Sequence, residues 1–312
     1  MRTGIIGAGN VGVAVAAALV MRGIGREVVL YNRTLKRAEG EAWDLNDAVP
    51  LLGGMMNVEA TASLEDLAAC SVIVITVGAK QAPGESRLDL LGKNAAIIEE
   101  TMKALDRINP EAVVIVVTNP VDVLTRIALG RSRRDTGRLF GSGTVLDTIR
   151  LKEALGKTLD VNRKNVHAYI AGEHGDSEFA LWSAASVGPL MLDDFGIVDL
   201  AGLTKRLEEK VRRRAYDIIE KKGYTSHAIG VAVATLVKAI LYDEKKIFTV
   251  AVPLPKNCYG LDPDIVLSQP CILGRDGIEK KLIFDCDLPE STLFRASAEK
   301  LDEVYRRYRG IK

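Results

Sequence analysis

The first half of the chain alternates short apolar runs with longer segments of helical periodicity. The runs at residues 72–77 and 113–117 are rich in Val and Ile and carry no polar alternation. Strands of this kind are buried on both faces, which is typical of a parallel sheet covered by helices. Their alternation with helical segments predicts an α/β fold with a doubly wound parallel sheet.

A glycine motif follows the first apolar run. The segment Gly7-Ala8-Gly9-Asn10-Val11-Gly12 matches the pattern G-x-G-x-x-G. In this pattern the first glycine permits a tight turn, the second lets a phosphate approach the backbone, and the third lets the helix pack on the strand. The free N–H groups at the start of that helix attract a pyrophosphate. The motif therefore predicts a Rossmann dinucleotide-binding domain.

The position expected to contact the adenosine ribose lies at the end of the second predicted strand and is Asn32, followed by Arg33 and Thr34. An acidic residue at this position binds the ribose 2′-hydroxyl and repels a 2′-phosphate. Asn32 keeps the hydrogen bond without the repulsion, and Arg33, Lys36 or Arg37 can pair with a phosphate. We expect NAD as the cofactor, with NADP as a serious alternative.

Beyond residue 141 the regular alternation ends. Strand candidates at 166–170, 247–252 and 281–284 are mixed with amphipathic helical segments at 200–222, 227–242 and 288–308. This mixture predicts an α+β substrate domain. We therefore divide the 312 residues into a dinucleotide-binding domain over 1–141 and a substrate and catalytic domain over 142–312.

Charge and composition exclude several classes of protein. The 42 Lys and Arg residues are balanced by 41 Asp and Glu residues, whereas nucleic-acid binders carry a basic excess. No apolar stretch is long enough to span a membrane. The four cysteines show no CxxC pairing, and no metal-ligand spacing is present. We expect a soluble, cytoplasmic protein with reduced thiols, no metal ion, and no nucleic-acid or membrane partner.

Three segments carry polar residues that an ordinary core does not require. Residues 118–122 follow the most apolar run, at the carboxyl edge where α/β sheets bind ligands. Asp147 and Arg150 share one face of a predicted helix, which a local salt bridge would also explain. His174 lies between two glycines and is one of only three histidines, although a lone histidine is often structural.

In combination, residues 141–150 and 172–177 resemble the lactate/malate dehydrogenase family. The similarity extends from Gly7 to the C-terminal helix, and the Leu-Asp-x-x-Arg and Gly-Glu-His-Gly-Asp motifs are highly specific together. The resemblance implies reversible hydride transfer between a small 2-hydroxy acid and a nicotinamide cofactor.

The resemblance also implies a role for each polar residue. His174 is the expected general acid and base, and Asp147 fixes its tautomer and stabilises the imidazolium. Arg150 is expected to hold the substrate carboxylate with a two-pronged ion pair, and Asn119 to orient the substrate and the histidine. The residues expected to contact the cofactor are Gly7, Gly9, Val11, Gly12, Asn32, Arg33, Arg37, Gly78, Ala79, Asn119 and Ser142.

Residues 78–87 resemble the mobile lid of the family, in which Arg87 polarises the substrate carbonyl. A simple surface loop is the alternative. Malate enzymes of the family carry arginine at the discriminating position of the lid and lactate enzymes carry glutamine; this chain carries Gln81. A second substrate carboxylate would remain unpaired there, at a cost on the order of 3–5 kcal/mol. Because Thr225 also matches the lactate-type pocket, we expect pyruvate and L-lactate, the substrate pair of glycolysis and fermentation.

Three further expectations rest on the resemblance. Bacterial members that fructose 1,6-bisphosphate activates bind it with an arginine and a histidine, and these positions are Lys152 and His167 here. Lysine can still bind phosphate, while His167 is equally explained as a packed strand residue. The family implies a homotetramer, or a dimer. Malate dehydrogenase is the nearer alternative function, and a non-catalytic nicotinamide-binding sensor is the farther one.

Overall fold

The computed structural model describes residues 1–79, 86–255, 261, 264–283 and 287–311. The helices of these residues are α1 (Asn10–Met21), α2 (Leu35–Ala48), α3 (Arg87–Ile108), α4 (Val121–Arg131), α5 (Val145–Leu159), α6 (Leu200–Lys222), α7 (His227–Leu241) and α8 (Leu288–Arg309). The strands are β1 (Arg2–Ile6), β2 (Glu27–Tyr31), β3 (Asn57–Thr61), β4 (Val72–Ile75), β5 (Val113–Val116), β6 (Leu139–Gly141), β7 (Val166–His167), β8 (Ile170–Ala171), β9 (Phe179–Ala180), β10 (Ser186–Val187), β11 (Leu190–Met191), β12 (Lys246–Pro253), β13 (Val266–Gly274) and β14 (Gly277–Lys281).

Among the described residues, nine strands form one sheet in the order β14-β13-β12-β6-β5-β4-β1-β2-β3. The strands β1 to β6 pair in parallel, in the order that defines a Rossmann fold. The antiparallel strands β12, β13 and β14 continue the sheet from β6, where Ala251 pairs with Gly141. The predicted α/β fold with a Rossmann sheet is confirmed.

Apolar layers cover both faces of the parallel strands. Along β4, Val72 and Val74 enter one layer with α1, α2 and α7, while Ile73 and Ile75 enter the other with α3, α4 and α8. All four side chains of β4 are buried, as the lack of polar alternation predicts. Because packing on both faces holds the strands in place, it also positions the carboxyl edge of the sheet, where the loops after β1, β4 and β5 meet.

A third apolar cluster joins α5 and α6 to the small strands. It contains Leu151 and Leu155 of α5, Leu203 and Leu207 of α6, and Val166 of β7. The cluster also contains Ile170 of β8 and Ala180 of β9, which flank the segment that carries His174, so α5 and both ends of the histidine loop pack on the same apolar cluster. No helix within the described ranges is both long and apolar enough to cross a membrane.

Several predicted boundaries are wrong. The strand predicted at 166–170 is two separate strands, β7 and β8, which pair in different sheets because the chain changes partner between them. The strand predicted at 281–284 is β14, which begins earlier because Gly277, at φ +89°, permits a tight turn after β13.

Candidate active site

The glycine loop after β1 has room for a phosphate. Gly7 has φ +115°, and a Cβ on Gly12 would lie 1.8 Å from the Gly7 carbonyl oxygen, so α1 packs closely on the strand. A Cβ on Gly9 would meet nothing within 4 Å. No side chain caps α1, and its first turn contains no acidic residue. These residues fit a dinucleotide pyrophosphate, which needs free N–H groups and close backbone approach.

The loops after β4 and β5 are joined by Asn94 of α3. Its Oδ1 accepts a hydrogen bond from the Ala79 N–H at 2.7 Å, and its Nδ2 donates to the Asn119 carbonyl at 3.2 Å. Asn94 is buried, and no motif in the sequence distinguishes it from other residues of the helix. It holds two expected cofactor-contacting loops at a fixed separation.

The remaining expected cofactor residues lie along the same edge. Val11 is half-buried in the first turn of α1, Gly78 is exposed after β4, and Ser142 is buried after β6. Asn32 follows β2 and donates from Nδ2 to the Thr34 carbonyl at 3.0 Å. Arg33 follows it directly, Arg37 lies in the first turn of α2, and both are exposed.

Asp147 contacts both His174 and Arg150. Its Oδ2 lies 2.8 Å from Nδ1 of His174, and its Oδ1 accepts a hydrogen bond from Nη1 of Arg150 at 2.8 Å. The aspartate is 2% exposed, and α5 places it one turn before the arginine. The contact with Arg150 is the local salt bridge that is the alternative interpretation of this pair, and the same carboxylate also contacts the imidazole.

Burial and charge shift the pKa values of Asp147 and His174 in opposite directions. Burial raises the pKa of Asp147, but the hydrogen bond and charge of His174, together with Arg150, outweigh it and hold that pKa below its usual range. Burial lowers the pKa of His174, but the hydrogen bond and charge of Asp147, supported by Asp122, raise it to about 9. The imidazole is therefore protonated at neutral pH and can donate a proton.

Two groups that the sequence did not assign hold the backbone of the histidine loop. Asp122, at the start of α4, accepts the N–H of His174 through Oδ2 at 2.8 Å. Burial raises the pKa of Asp122 to about 7, and its buried Oδ1 has no partner among the described residues. Ser297 of α8 accepts the N–H of Glu173 at 2.7 Å, and Lys300 pairs with the Glu173 carboxylate at 2.7 Å.

Other expected substrate residues are less closely defined. Asn119 is exposed after β5, and its Oδ1 accepts the N–H of Val121 at 3.3 Å. Thr225 is half-buried in the short connection between α6 and α7. Gln81 and the other lid residues 80–85 lie outside the described residues, as does the side chain of Arg87, which begins α3.

The expected phosphate-binding residues lie on neighbouring elements. Lys152 of α5 places its Nζ 5.2 Å from the centre of the Tyr169 ring, and burial lowers its pKa. His167 is exposed in β7, opposite Ser186 of β10. Lys152 therefore makes a cation–π contact with the Tyr169 ring.

The Rossmann sheet, the open glycine loop and the paired histidine define a dinucleotide-dependent enzyme with acid–base chemistry. Residues 1–141 match the family model described as lactate/malate dehydrogenase, NAD binding domain. Residues 144–307 match the lactate/malate dehydrogenase alpha/beta C-terminal domain. The chain belongs to the lactate/malate dehydrogenase family and is an oxidoreductase with a nicotinamide cofactor.

Relatives and solved structures are similar over nearly the full length. An L-lactate dehydrogenase of Nitratidesulfovibrio vulgaris is 40% identical over 306 residues, which are 97% of this chain and 98% of that protein. An L-lactate dehydrogenase of Thermus aquaticus is 42% identical over 305 residues, 96% of this chain and 97% of that protein. The crystal structure of a lactate dehydrogenase from a Medee basin deep-sea metagenome library superposes with a TM-score of 0.94 at 33% identity, covering 98% of each chain.

Proposed function

We propose that the protein is an L-lactate dehydrogenase, which transfers hydride reversibly between L-lactate and NAD. The observation that carries the proposal is the position of Asp147 between His174 and Arg150, at 2.8 Å from each. One carboxylate thereby orients both a proton-transferring group and a carboxylate-binding group. Relatives named L-lactate dehydrogenase, at about 40% identity over 97% of the chain, support the choice of substrate.

His174 moves the proton. When bound, the nicotinamide ring supplies the hydride acceptor for lactate oxidation and the donor for pyruvate reduction. In oxidation, neutral His174 accepts the proton of the substrate hydroxyl as the hydride leaves the adjacent carbon. In reduction, the imidazolium returns that proton to the carbonyl oxygen. Because Asp147 stabilises the imidazolium, the resting protein is prepared for reduction at neutral pH.

Arg150 binds the substrate carboxylate in this proposal. Its side chain is 14% exposed and uses Nη1 for Asp147, so that other guanidinium N–H groups remain available for a two-pronged contact. Asn119 orients the substrate, and Arg87 polarises its carbonyl. Gln81 and Thr225 select pyruvate over oxaloacetate.

We propose NAD rather than NADP as the cofactor. The contact of Asn32 Nδ2 with the Thr34 carbonyl leaves Oδ1 as an acceptor for a ribose hydroxyl. The exposed Arg33 and Arg37 are the groups that would pair with a 2′-phosphate, so NADP remains the alternative.

The assembly we propose is a homotetramer, with a dimer as the alternative. Trp43 of α2 is 66% exposed, and Leu51 and Met55 beyond it are 88% and 98% exposed. These three residues lie in one short segment of the chain, and a contiguous exposed apolar patch is typical of subunit contacts. Sedimentation velocity distinguishes the tetramer from a dimer and from a monomer, and a monomer contradicts the proposal.

Initial rates of four reactions test the function: pyruvate or oxaloacetate, each with NADH or NADPH. We expect pyruvate with NADH to give the highest kcat/KM. A preference for oxaloacetate would make the protein a malate dehydrogenase, and a preference for NADPH would reverse the cofactor assignment. Cofactor binding without turnover of either oxo acid indicates a nicotinamide sensor.

Adding fructose 1,6-bisphosphate, with Lys152→Ala as the control, tests activation through Lys152 and His167.

A further inference from the structure

A second carboxyl group, Glu178, lies beside the pair formed by His174 and Asp147. One carboxylate or imidazole atom from each of the three residues lies within 4.8 Å of the other two. Glu178 is only 5% exposed, and its N–H donates to the Gly175 carbonyl at 3.2 Å, which folds the loop back toward the histidine. The proton transfer described above does not use this group.

The groups around Glu178 come from two helices. Arg212 of α6 donates from Nη2 to the Glu178 carbonyl oxygen at 3.0 Å, and the same nitrogen lies 4.0 Å from Oε2 of Glu208. From α5, the charges of Asp147 and Arg150 both influence the pKa of the Glu178 carboxyl. Burial raises the pKa of Glu178 to about 8, Asp147 adds to this effect, and the charges of His174, Arg212 and Arg150 oppose it.

The groups that act on the imidazole come from three segments. Asp147 of α5 contacts Nδ1, Asp122 of α4 contributes its charge and accepts the backbone N–H, and Glu178 contributes from the loop. Glu173 of the same loop is paired with Lys300 of α8. Glu178 differs from Asp147, which bonds to the imidazole, and from Asp122, which accepts the backbone N–H of His174. Among the described residues it is a buried carboxyl that reaches the imidazole through its charge alone.

We propose that Glu178 is a positioning residue of the proposed dehydrogenase, which sets the pH at which His174 releases its proton. While Glu178 is protonated, Asp147 is the principal negative charge that supports the imidazolium. When Glu178 ionises, a second negative charge lies near the imidazolium and raises the pH at which His174 loses its proton. Two groups this close titrate as a coupled pair. Glu178 thereby extends proton donation by His174, and with it pyruvate reduction, to higher pH.

The direct test follows the protonation of His174 without turnover. An imidazole reacts with diethyl pyrocarbonate only in its neutral form, and the His174 side chain is 27% exposed, so the reagent can reach it. Tandem mass spectrometry, which distinguishes His174 from the exposed His167 of the same tryptic peptide, gives the modification rate of His174 as a function of pH. We expect Glu178→Gln to lower the midpoint by about one pH unit, because an adjacent opposite charge is lost. The high-pH limb of the pH profile of kcat/KM for pyruvate reduction should move to lower pH by the same amount.

Two further variants serve as controls. Glu209→Gln makes the same chemical change on the exposed side of α6, where Glu209 is 63% exposed, and should leave the midpoint unchanged. Glu178→Asp keeps an ionisable carboxyl and should restore most of the shift. Equal midpoints in wild type and Glu178→Gln overturn the proposal and leave Glu178 with a structural role.

The proposal can fail separately from the proposed function. A protein that does not reduce pyruvate still gives the modification profile, so the lactate assignment can be wrong while Glu178 acts as proposed. If Glu178→Gln does not fold, the wild-type profile decides. A coupled pair gives a curve broader than that of one independent proton, and a simple one-proton curve contradicts the coupling.

Discussion

Nδ1 of His174 lies 2.8 Å from Oδ2 of Asp147, and the aspartate is almost fully buried. Taking a carboxylate out of water is unfavourable unless an opposite charge and hydrogen bonds compensate. Here the imidazolium and Arg150 supply both, so that ionised Asp147 and protonated His174 stabilise each other. His174, the proposed proton donor, is therefore protonated before the substrate binds.

The pH dependence of the two reaction directions follows from this pair. The pKa of His174 is raised to about 9, so pyruvate reduction should be nearly constant near neutral pH and decline as pH rises through about 9. Lactate oxidation needs the neutral imidazole and should rise over the same range. The raised pKa also means that the stability contributed by His174 is complete below about pH 6.5 and is lost through about pH 9. Steady-state rates in both directions and urea unfolding at several pH values check these trends.

Asp147→Asn removes the charge that supports the imidazolium. Burial then dominates and the pKa of His174 falls, so less of the acid form is present at pH 7. We expect kcat/KM for pyruvate reduction to drop by about 10²–10⁴-fold at neutral pH. The exposed Asp193→Asn is the matched control. A variant with wild-type rate and an unchanged basic limb would show that Asp147 does not tune the histidine.

Asp122→Asn tests the buried carboxyl that holds the backbone of His174. A carboxyl with a raised pKa in the folded state contributes stability below its unfolded pKa and loses it as pH rises through the folded value, about 7. Asparagine can still accept the His174 N–H but does not ionise. The variant should therefore match wild type near pH 4 and be more stable above pH 7, by on the order of 2–4 kcal/mol. Urea unfolding at both pH values measures this, and equal pH slopes contradict it.

His174→Gln separates catalysis from folding. The amide can fill much of the space of the imidazole but cannot accept or return a proton at neutral pH. We expect turnover to fall by at least about 10²-fold in both directions, with NADH binding unchanged. Fluorescence titration with NADH and circular dichroism provide the two readouts. Loss of folding, or full activity, would mean that the histidine is structural.

The parallel sheet was predictable because its strands are continuously apolar, as β4 and β5 illustrate. Strand β13 was not, because Ser268, Gln269 and Pro270 interrupt its apolar run although all three are buried. Proline cannot donate to a strand ladder, so its presence argues against an internal strand. Local motifs selected Asp147, Arg150 and His174. No local pattern relates Ser297 to the histidine loop, since their contact depends on how α8 packs.

Gln81→Arg tests which oxo acid the enzyme selects. In the proposed enzyme, glutamine at this position leaves the second carboxylate of oxaloacetate without a counter-charge, and an unpaired buried charge is unfavourable by on the order of 3–5 kcal/mol. Arginine supplies a two-pronged partner, so the ratio of kcat/KM for oxaloacetate over pyruvate should rise by roughly 10²–10⁴-fold. Gln81→Met, which is similar in size and uncharged, should leave oxaloacetate disfavoured. An equal gain with methionine would mean that shape rather than charge sets the selectivity, because the only difference between the two variants that bears on a carboxylate is the guanidinium.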